Sequence, residues 1–301
     1  MLEKVERLAL ERDLCVNCLG RMFGGLLTGV DNKSRGIFLL GALSMELLSR
    51  AVLGDEDAER ELVKLAKRYP DVDFLRKTVE RRGYRPNPSG GTCEVCAGMS
   101  KSYGRLAELI VEKMREYEFE SFLIGVRVPS EAEIKEDEIK ASYKLQFSES
   151  LREEMSREIG KDVMRRLEGR KCDPIAPDLT VIVDPLSGLV ETRSKDLVIE
   201  GRGSSLGGRI FSPLCDFCGG KGCPSCDYTG KKRGGTFEFL VGSKLLELTE
   251  GKRWRFSIKR REGDEFYFRF RISDPRRRRI PPKIDIEEGV RIFEIRVRDK
   301  T

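Results

Sequence analysis

The sequence predicts an α+β chain of several domains: a small helical domain closed by paired cysteines, an α/β domain with a second cysteine cluster, and a short antiparallel β segment. Three observations predict it. Four Cys-x-x-Cys pairs punctuate the chain. Helical apolar periodicity gives way, between residues 121 and 200, to short apolar runs that suit buried strands. From residue 252 the apolar residues alternate with period two. The corresponding domains are 1–100, 101–245 and 246–301.

Taken in order, Leu2, Val5, Leu8 and Ala9 fall on one stripe of a first helix over 1–14. Further helices follow over 34–53, 57–68 and 72–81, with a loop at 85–91. Leu106, Leu109, Ile110, Met114 and Tyr117 mark an amphipathic helix over 103–117. Residues 121–128 read as a strand ended by Pro129, 149–168 as a helix, and 179–183 and 197–200 as strands. Alternating helices and buried strands imply α/β layers. The glycine-rich stretch 201–208 lacks the Lys-Ser/Thr of a phosphate loop and reads as a flexible turn. Trp254, Phe256 and Ile258, then Phe266, Phe268, Phe270 and Ile272, then Phe293, Ile295 and Val297, give three antiparallel strands with one wet face.

Composition bounds the chemistry. Of 301 residues 36% are charged, against roughly 25% in an ordinary globular chain. Asn stands only at 17, 32 and 87 and Gln only at 146, the bias of heat-adapted proteins. The start carries no secretory pattern and no apolar run is long enough to span a bilayer, so a cytoplasmic protein with no membrane partner is expected. Histidine is absent, which excludes Ser-His-Asp and Cys-His centres and any Cys/His metal site.

Nine cysteines in such a chain argue for metal ligation, with disulfides or iron–sulfur ligation as the alternatives. Cys15, Cys18, Cys93 and Cys96 form two knuckle pairs that together complete one four-thiolate site, with Gly20 and Gly98 behind them permitting the tight turns. Cys215, Cys218, Cys223 and Cys226 form a second, more local cluster. Two structural zinc ions are expected, and an exchange of pairs between the clusters stays open. Cys172 is left over as a core or loop thiol.

Charge is uneven. Residues 231–301 hold 21 Lys and Arg against 12 Asp and Glu, so the basic excess lies in the tail and points to an acidic partner, RNA first. The candidate RNA contacts are Arg253, Arg255, Arg269 and Arg271 on the wet face, and the run Arg276, Arg277, Arg278 and Arg279, which reads as a mobile basic loop before Ile-Pro-Pro. Lys221, Lys231, Lys232 and Arg233 beside the second cluster, and Arg21 and Arg35 behind the first knuckle, complete the set. The bland alternative for each is a surface ion pair.

The order of motifs resembles a known family. Cys15-x-x-Cys-Leu-Gly-Arg-Met-Phe23, Thr28-Gly29, Asn32, Arg35-Gly36 and Cys93-x-x-Cys96 are similar to the amino-terminal part of the archaeal tRNA pseudouridine synthases acting on TΨC-loop uridines 54 and 55. Phe122-Leu-Ile-Gly-Val-Arg-Val-Pro129, Arg157-Glu-Ile-Gly-Lys161 and Pro177-Asp-Leu-Thr-Val-Ile-Val-Asp184 look like that family's THUMP-containing region, and the second cysteine cluster with Thr229-Gly-Lys231 like its second cluster. The resemblance covers about residues 10–245. It implies a THUMP-like domain and a zinc-stabilised module that grips tRNA. The family's Gly-Arg-Glu-Asp segment with its nucleophilic Asp has no match here, since Asp264 and Asp274 stand in other contexts. The expectation is therefore a tRNA-binding protein or accessory subunit for tRNA modification that lacks its own catalytic domain, served by a separate catalytic enzyme. The alternatives are an active tRNA pseudouridine synthase and a zinc-dependent protein-interaction module.

Overall fold

The computed structural model describes residues 1–87, 91–205, 209–282, 284, 286 and 290–298. The chain divides into two compact units, one of residues 1–109, 124–165 and 182–189, the other of 110–123, 166–181 and 190–301. It is an α+β protein with two four-stranded sheets among the described residues.

The first unit is mainly helical. Helices α1 (Leu2–Glu11), α2 (Val16–Arg21), α3 (Asn32–Val52), α4 (Glu56–Arg68) and α5 (Asp73–Arg81) follow in order. Asp31 and Asp55 cap α3 and α4, accepting from the amides of Ser34 and Ala58 and satisfying donors that the first turn leaves unpaired. Leu8, Leu19, Leu40, Leu43, Leu47 and Leu65 make the core. Gly20 and Gly36 let α2 and α3 touch backbone to backbone. A Cβ on Gly20 would lie 1.8 Å from Asn32 O, and one on Gly36 2.0 Å from Val16 O. Gly20 thus serves helix packing and not the knuckle turn expected of it, whereas Gly98, at φ +87°, does take the turn conformation.

Helix α6 (Tyr103–Met114) leads to strand β1 (Ser121–Val126), then α7 (Ser130–Ser142) and α8 (Leu151–Arg166). Helix α7 lies in a stretch where the sequence offered no clear apolar stripe; it buries only Ala132, Glu136 and Ile139. With β2 (Lys171–Cys172), β3 (Leu179–Val183) and β4 (Val190–Ser194) the first sheet has the order β2-β1-β3-β4, β1 and β2 being parallel. Cys172 is an exposed strand residue, not a core or loop thiol.

The second sheet departs most from expectation. Strand β5 (Leu197–Ser205) runs between the tail strands, giving the order β6-β7-β5-β8 with β6 (Arg253–Glu262), β7 (Glu265–Ser273) and β8 (Val290–Arg298). Residues 201–205, expected as a flexible turn, are the middle of the sheet; 206–208 lie outside the described residues. Gly201 is there because a Cβ would meet Glu294 O at 2.1 Å and the Phe268 ring at 2.5 Å. Helix α9 (Phe237–Thr249) covers one face, with Phe237 wedged against Phe266 and Phe268 at centroid distances of 4.7 and 5.2 Å. The expected boundary at 245/246 therefore cuts through α9, and the tail is not separate from 197–205.

Candidate metal centres and nucleic-acid interface

In the first cluster Cys15 caps α2, and its Sγ accepts from the Cys18 amide at 3.4 Å. The Sγ atoms of Cys15, Cys18, Cys93 and Cys96 all lie within 4.8 Å of one another, with Cys15 and Cys96 3.7 Å apart. The same holds for Cys215, Cys218, Cys223 and Cys226, whose closer sulfur pairs stand at 3.7, 3.8 and 3.9 Å. Metal–sulfur bonds of about 2.3 Å in a tetrahedron give sulfur–sulfur edges of about 3.8 Å, so both quartets fit one ion each. None of the eight is in a disulfide. The pairs combine within each cluster, and no exchange between clusters occurs.

Backbone amides favour thiolates in the second cluster. Gly222 N donates to Cys218 Sγ at 3.2 Å, and Cys223 N and Gly230 N donate to Cys226 Sγ at 3.3 Å each. Desolvation opposes ionisation of Cys226, but those two amides and the neighbouring thiols draw its pKa down to about 6. Each quartet would close four protein ligands around an ion and leave no open position, the arrangement of a structural centre.

Arg21 and Arg35 are not at the surface. The Arg21 side chain is fully buried, paired with Glu136 and, at 3.2 Å, with Glu154. Desolvation works against its charge, but Cys18 and the two glutamates hold its pKa up. Asn17 and Asn32, two of only three asparagines in the chain, both donate to Glu154. Asn32 also donates to Glu149 at 2.8 Å, and Glu149 accepts from Arg157 at 2.8 Å. Arg35, 5% exposed, spends its guanidinium on Asn32 and on the carbonyls of Leu26 and Val30. Asn32, Arg35, Glu149, Arg157 and Lys161 line a cavity of about 710 Å³ together with Thr28 and Gly29. The partners that enclose Arg21, Glu136 and Glu154, lie more than 100 residues away in sequence, whereas those of Arg35 lie within nine residues, in the loop before α3 and its first turn.

In the second unit Lys231 pairs with Glu238 at 2.9 Å, Lys232 with Asp216 at 2.7 Å and Arg233 with Asp227 at 2.5 Å. The run 276–279 is anchored and not a mobile loop: the amides of Arg276 and Arg277 both donate to Thr249 O at 2.9 Å, those of Arg278 and Arg279 donate to Glu118, and the Arg278 guanidinium donates to Lys195 O. On the sheet, the face turned away from α9 carries Arg255, Arg269, Arg271, Arg202, Arg296 and Arg298. Glu200 gathers Lys259, Arg269 and Arg298 at 2.5, 2.6 and 2.7 Å. Of the two acids compared with the family's nucleophilic Asp, Asp264 is exposed in the β6–β7 turn. Asp274 accepts from the Ser194 amide at 2.8 Å and pairs with Lys252.

Among the described residues no helix is long and apolar enough to cross a membrane. Residues 106–184 match the family model described as the Pus10 THUMP domain, archaeal. Three relatives carry the name tRNA pseudouridine synthase Pus10. That of Pyrobaculum arsenaticum is 33% identical over 65% of this chain and 46% of its own length. That of Methanopyrus kandleri is 31% identical over 82% and 55%, and that of Thermofilum pendens 29% identical over 95% and 63%. The chain spans about half the length of the curated relatives it matches.

These relatives overturn the expectation of an accessory protein without chemistry of its own, and with it the separate catalytic enzyme. That expectation treated the tail as foreign to the family. The Thermofilum pendens alignment, however, leaves only about 15 residues of the chain uncovered, so it extends well into 246–301. The THUMP match over residues 106–184 and this span of similarity ally the chain with the archaeal proteins named tRNA pseudouridine synthase Pus10.

Proposed function

We propose that the protein is a tRNA pseudouridine synthase of the Pus10 kind, acting on TΨC-loop uridines, and that its exposed basic side chains hold the tRNA. The observation that carries this reading is the run of similarity to proteins named for that activity over as much as 95% of the chain. Two zinc ions would sit in the cysteine quartets, supplying rigidity and no reactive position. In the first quartet they would fix the end of α2, and with it Arg21 and Asn17; in the second, the loop that flanks β6. A THUMP-bearing protein of this charge would recognise folded tRNA by shape and backbone contacts, as is usual for structured RNA.

The nucleophile is assigned to neither Asp264 nor Asp274, since the first stands free in a turn and the second is committed to Ser194 and Lys252. The test is direct. Unmodified tRNA transcript incubated with the purified protein should gain pseudouridine, read by carbodiimide modification and primer extension. Tight tRNA binding with no pseudouridine formed would overturn the reading.

A further inference from the structure

Strands β6 and β7 set Arg255 directly opposite Arg271. Both are exposed, on the sheet face turned away from α9, while their neighbours Trp254 and Ile272 enter the core. Like charges directly opposite across antiparallel strands destabilise a sheet. The rest of this face avoids that cost by gathering Lys259, Arg269 and Arg298 on Glu200. Among the described residues, Arg255 and Arg271 have no acidic partner. Arg253, on the same strand, donates to Lys221 O at 3.3 Å.

These three arginines line a cavity of about 390 Å³ whose other wall is the loop of the second cysteine quartet, at Leu214, Gly220 and Thr229 to Lys231. Lys231 is tied to Glu238, and Asp196 is the one carboxylate in the lining. The groove therefore offers three guanidinium forks against one acid. Adjacent strands are about 4.8 Å apart, so Arg255 and Arg271 can close on one phosphodiester while Arg253 reaches the next.

We propose that this groove between the cysteine loop and the β6–β7 hairpin seats the phosphate backbone of the RNA. The proposal rests on the reading that tRNA is the substrate. Arginines with a local acid partner (Arg269, Arg298) shape the face, and the two set against each other hold the polyanion.

The test compares tRNA binding by filter retention across a salt series for the wild-type chain and the double variant Arg255→Thr/Arg271→Thr, threonine being well suited to strands. The variant should bind roughly tenfold more weakly at low salt. Its plot of log affinity against log salt should be shallower by about 0.8, the share of the one phosphate that the two arginines neutralise. Its thermal midpoint should equal or exceed the wild type's, because the repulsive pair is gone. A lower midpoint with unchanged affinity and slope would make the arginines structural and overturn the groove. Retained tRNA binding with lost binding of polyglutamate would assign the groove to an acidic protein and overturn it likewise. A wild-type chain that binds no tRNA at low salt would remove the functional reading, and the groove with it.

Discussion

Arg21 Nη2 lies 3.5 Å from Cys18 Sγ, and neither side chain reaches solvent. One helical turn of α2 thus carries a metal-site thiol and the cation that faces it, while the same guanidinium holds Glu136 and Glu154. Removing it leaves the buried Glu154 with only the Asn17 and Asn32 amides and Glu136 with Lys140 as its one cation. Arg21→Met should lower the unfolding free energy by about 3–5 kcal/mol, the usual cost of breaking a buried ion pair from one side. The triple change to Arg21→Met with Glu136→Gln and Glu154→Gln should recover part of that loss. Urea denaturation followed by circular dichroism measures both, and a single variant as stable as the wild type would contradict the assignment.

The metal sites should behave as two independent one-ion centres. Elemental analysis of the purified chain should give two zinc equivalents, and Cys15→Ser and Cys226→Ser should each remove one while leaving the other. Ligation needs thiolates, so bound metal stabilises at neutral and higher pH and is released as pH falls and the sulfurs protonate. A chelator titration with two separable steps would agree. Retention of both equivalents in either serine variant would count against one quartet per ion.

The parts of this fold that could be read from sequence are those whose signal is local. The α1 stripe, the alternation of Phe266, Phe268 and Phe270, and the Cys-x-x-Cys spacings all lie within a few residues of themselves. The second half of strand β5 is hidden because Gly201 and Gly203 look like turn residues until Phe268 and Phe237 are seen filling the space above them. Its partners on β7 lie some seventy residues away, and no periodicity reports such pairing. The same distance effect hides the burial of Arg21. A basic residue beside a knuckle looks exposed, and only the chain's return through α7 and α8 shows it enclosed. The asparagines gave the one available hint: in a sequence that avoids amides, two of three are spent on Glu154.

Acid stability should depend on Arg157. Burial alone would raise the Glu149 pKa, but the bonds from Arg157 and Asn32 prevail and hold it below its ordinary value. A carboxyl with a depressed folded pKa contributes stability above its unfolded pKa of about 4.3 and loses it as pH falls through the folded value. Glu154 shifts the other way, raised chiefly by burial, so its contribution is greatest in acid and fades as pH rises through its folded value. In Arg157→Gln the Glu149 value should rise, moving the acid-unfolding limb to higher pH while the curves at the acid extreme converge. Urea midpoints measured from pH 3 to pH 7 would show this. A uniform drop at every pH would mean that Arg157 acts through packing alone.

The contact between α2 and α3 gives the sharpest steric prediction. With Asn32 O 1.8 Å from the place a Gly20 Cβ would occupy, and Val16 O 2.0 Å from that of Gly36, neither position can take alanine without parting the helices. Gly20→Ala or Gly36→Ala should cost about 3 kcal/mol or more, the upper range for overpacking, because the obstacle is backbone and cannot rotate away. Since α2 carries Cys18, the same variants should also release the metal of the first quartet while keeping that of the second. Gly41 supplies the control. It lies in the middle of α3, its nearest neighbour at the Cβ position is the Phe74 ring at 3.7 Å, and Gly41→Ala should hold or raise stability by up to about 1 kcal/mol through helix propensity. Equal tolerance of alanine at positions 20, 36 and 41, with full metal content in all three variants, would mean that the two helices do not meet as described.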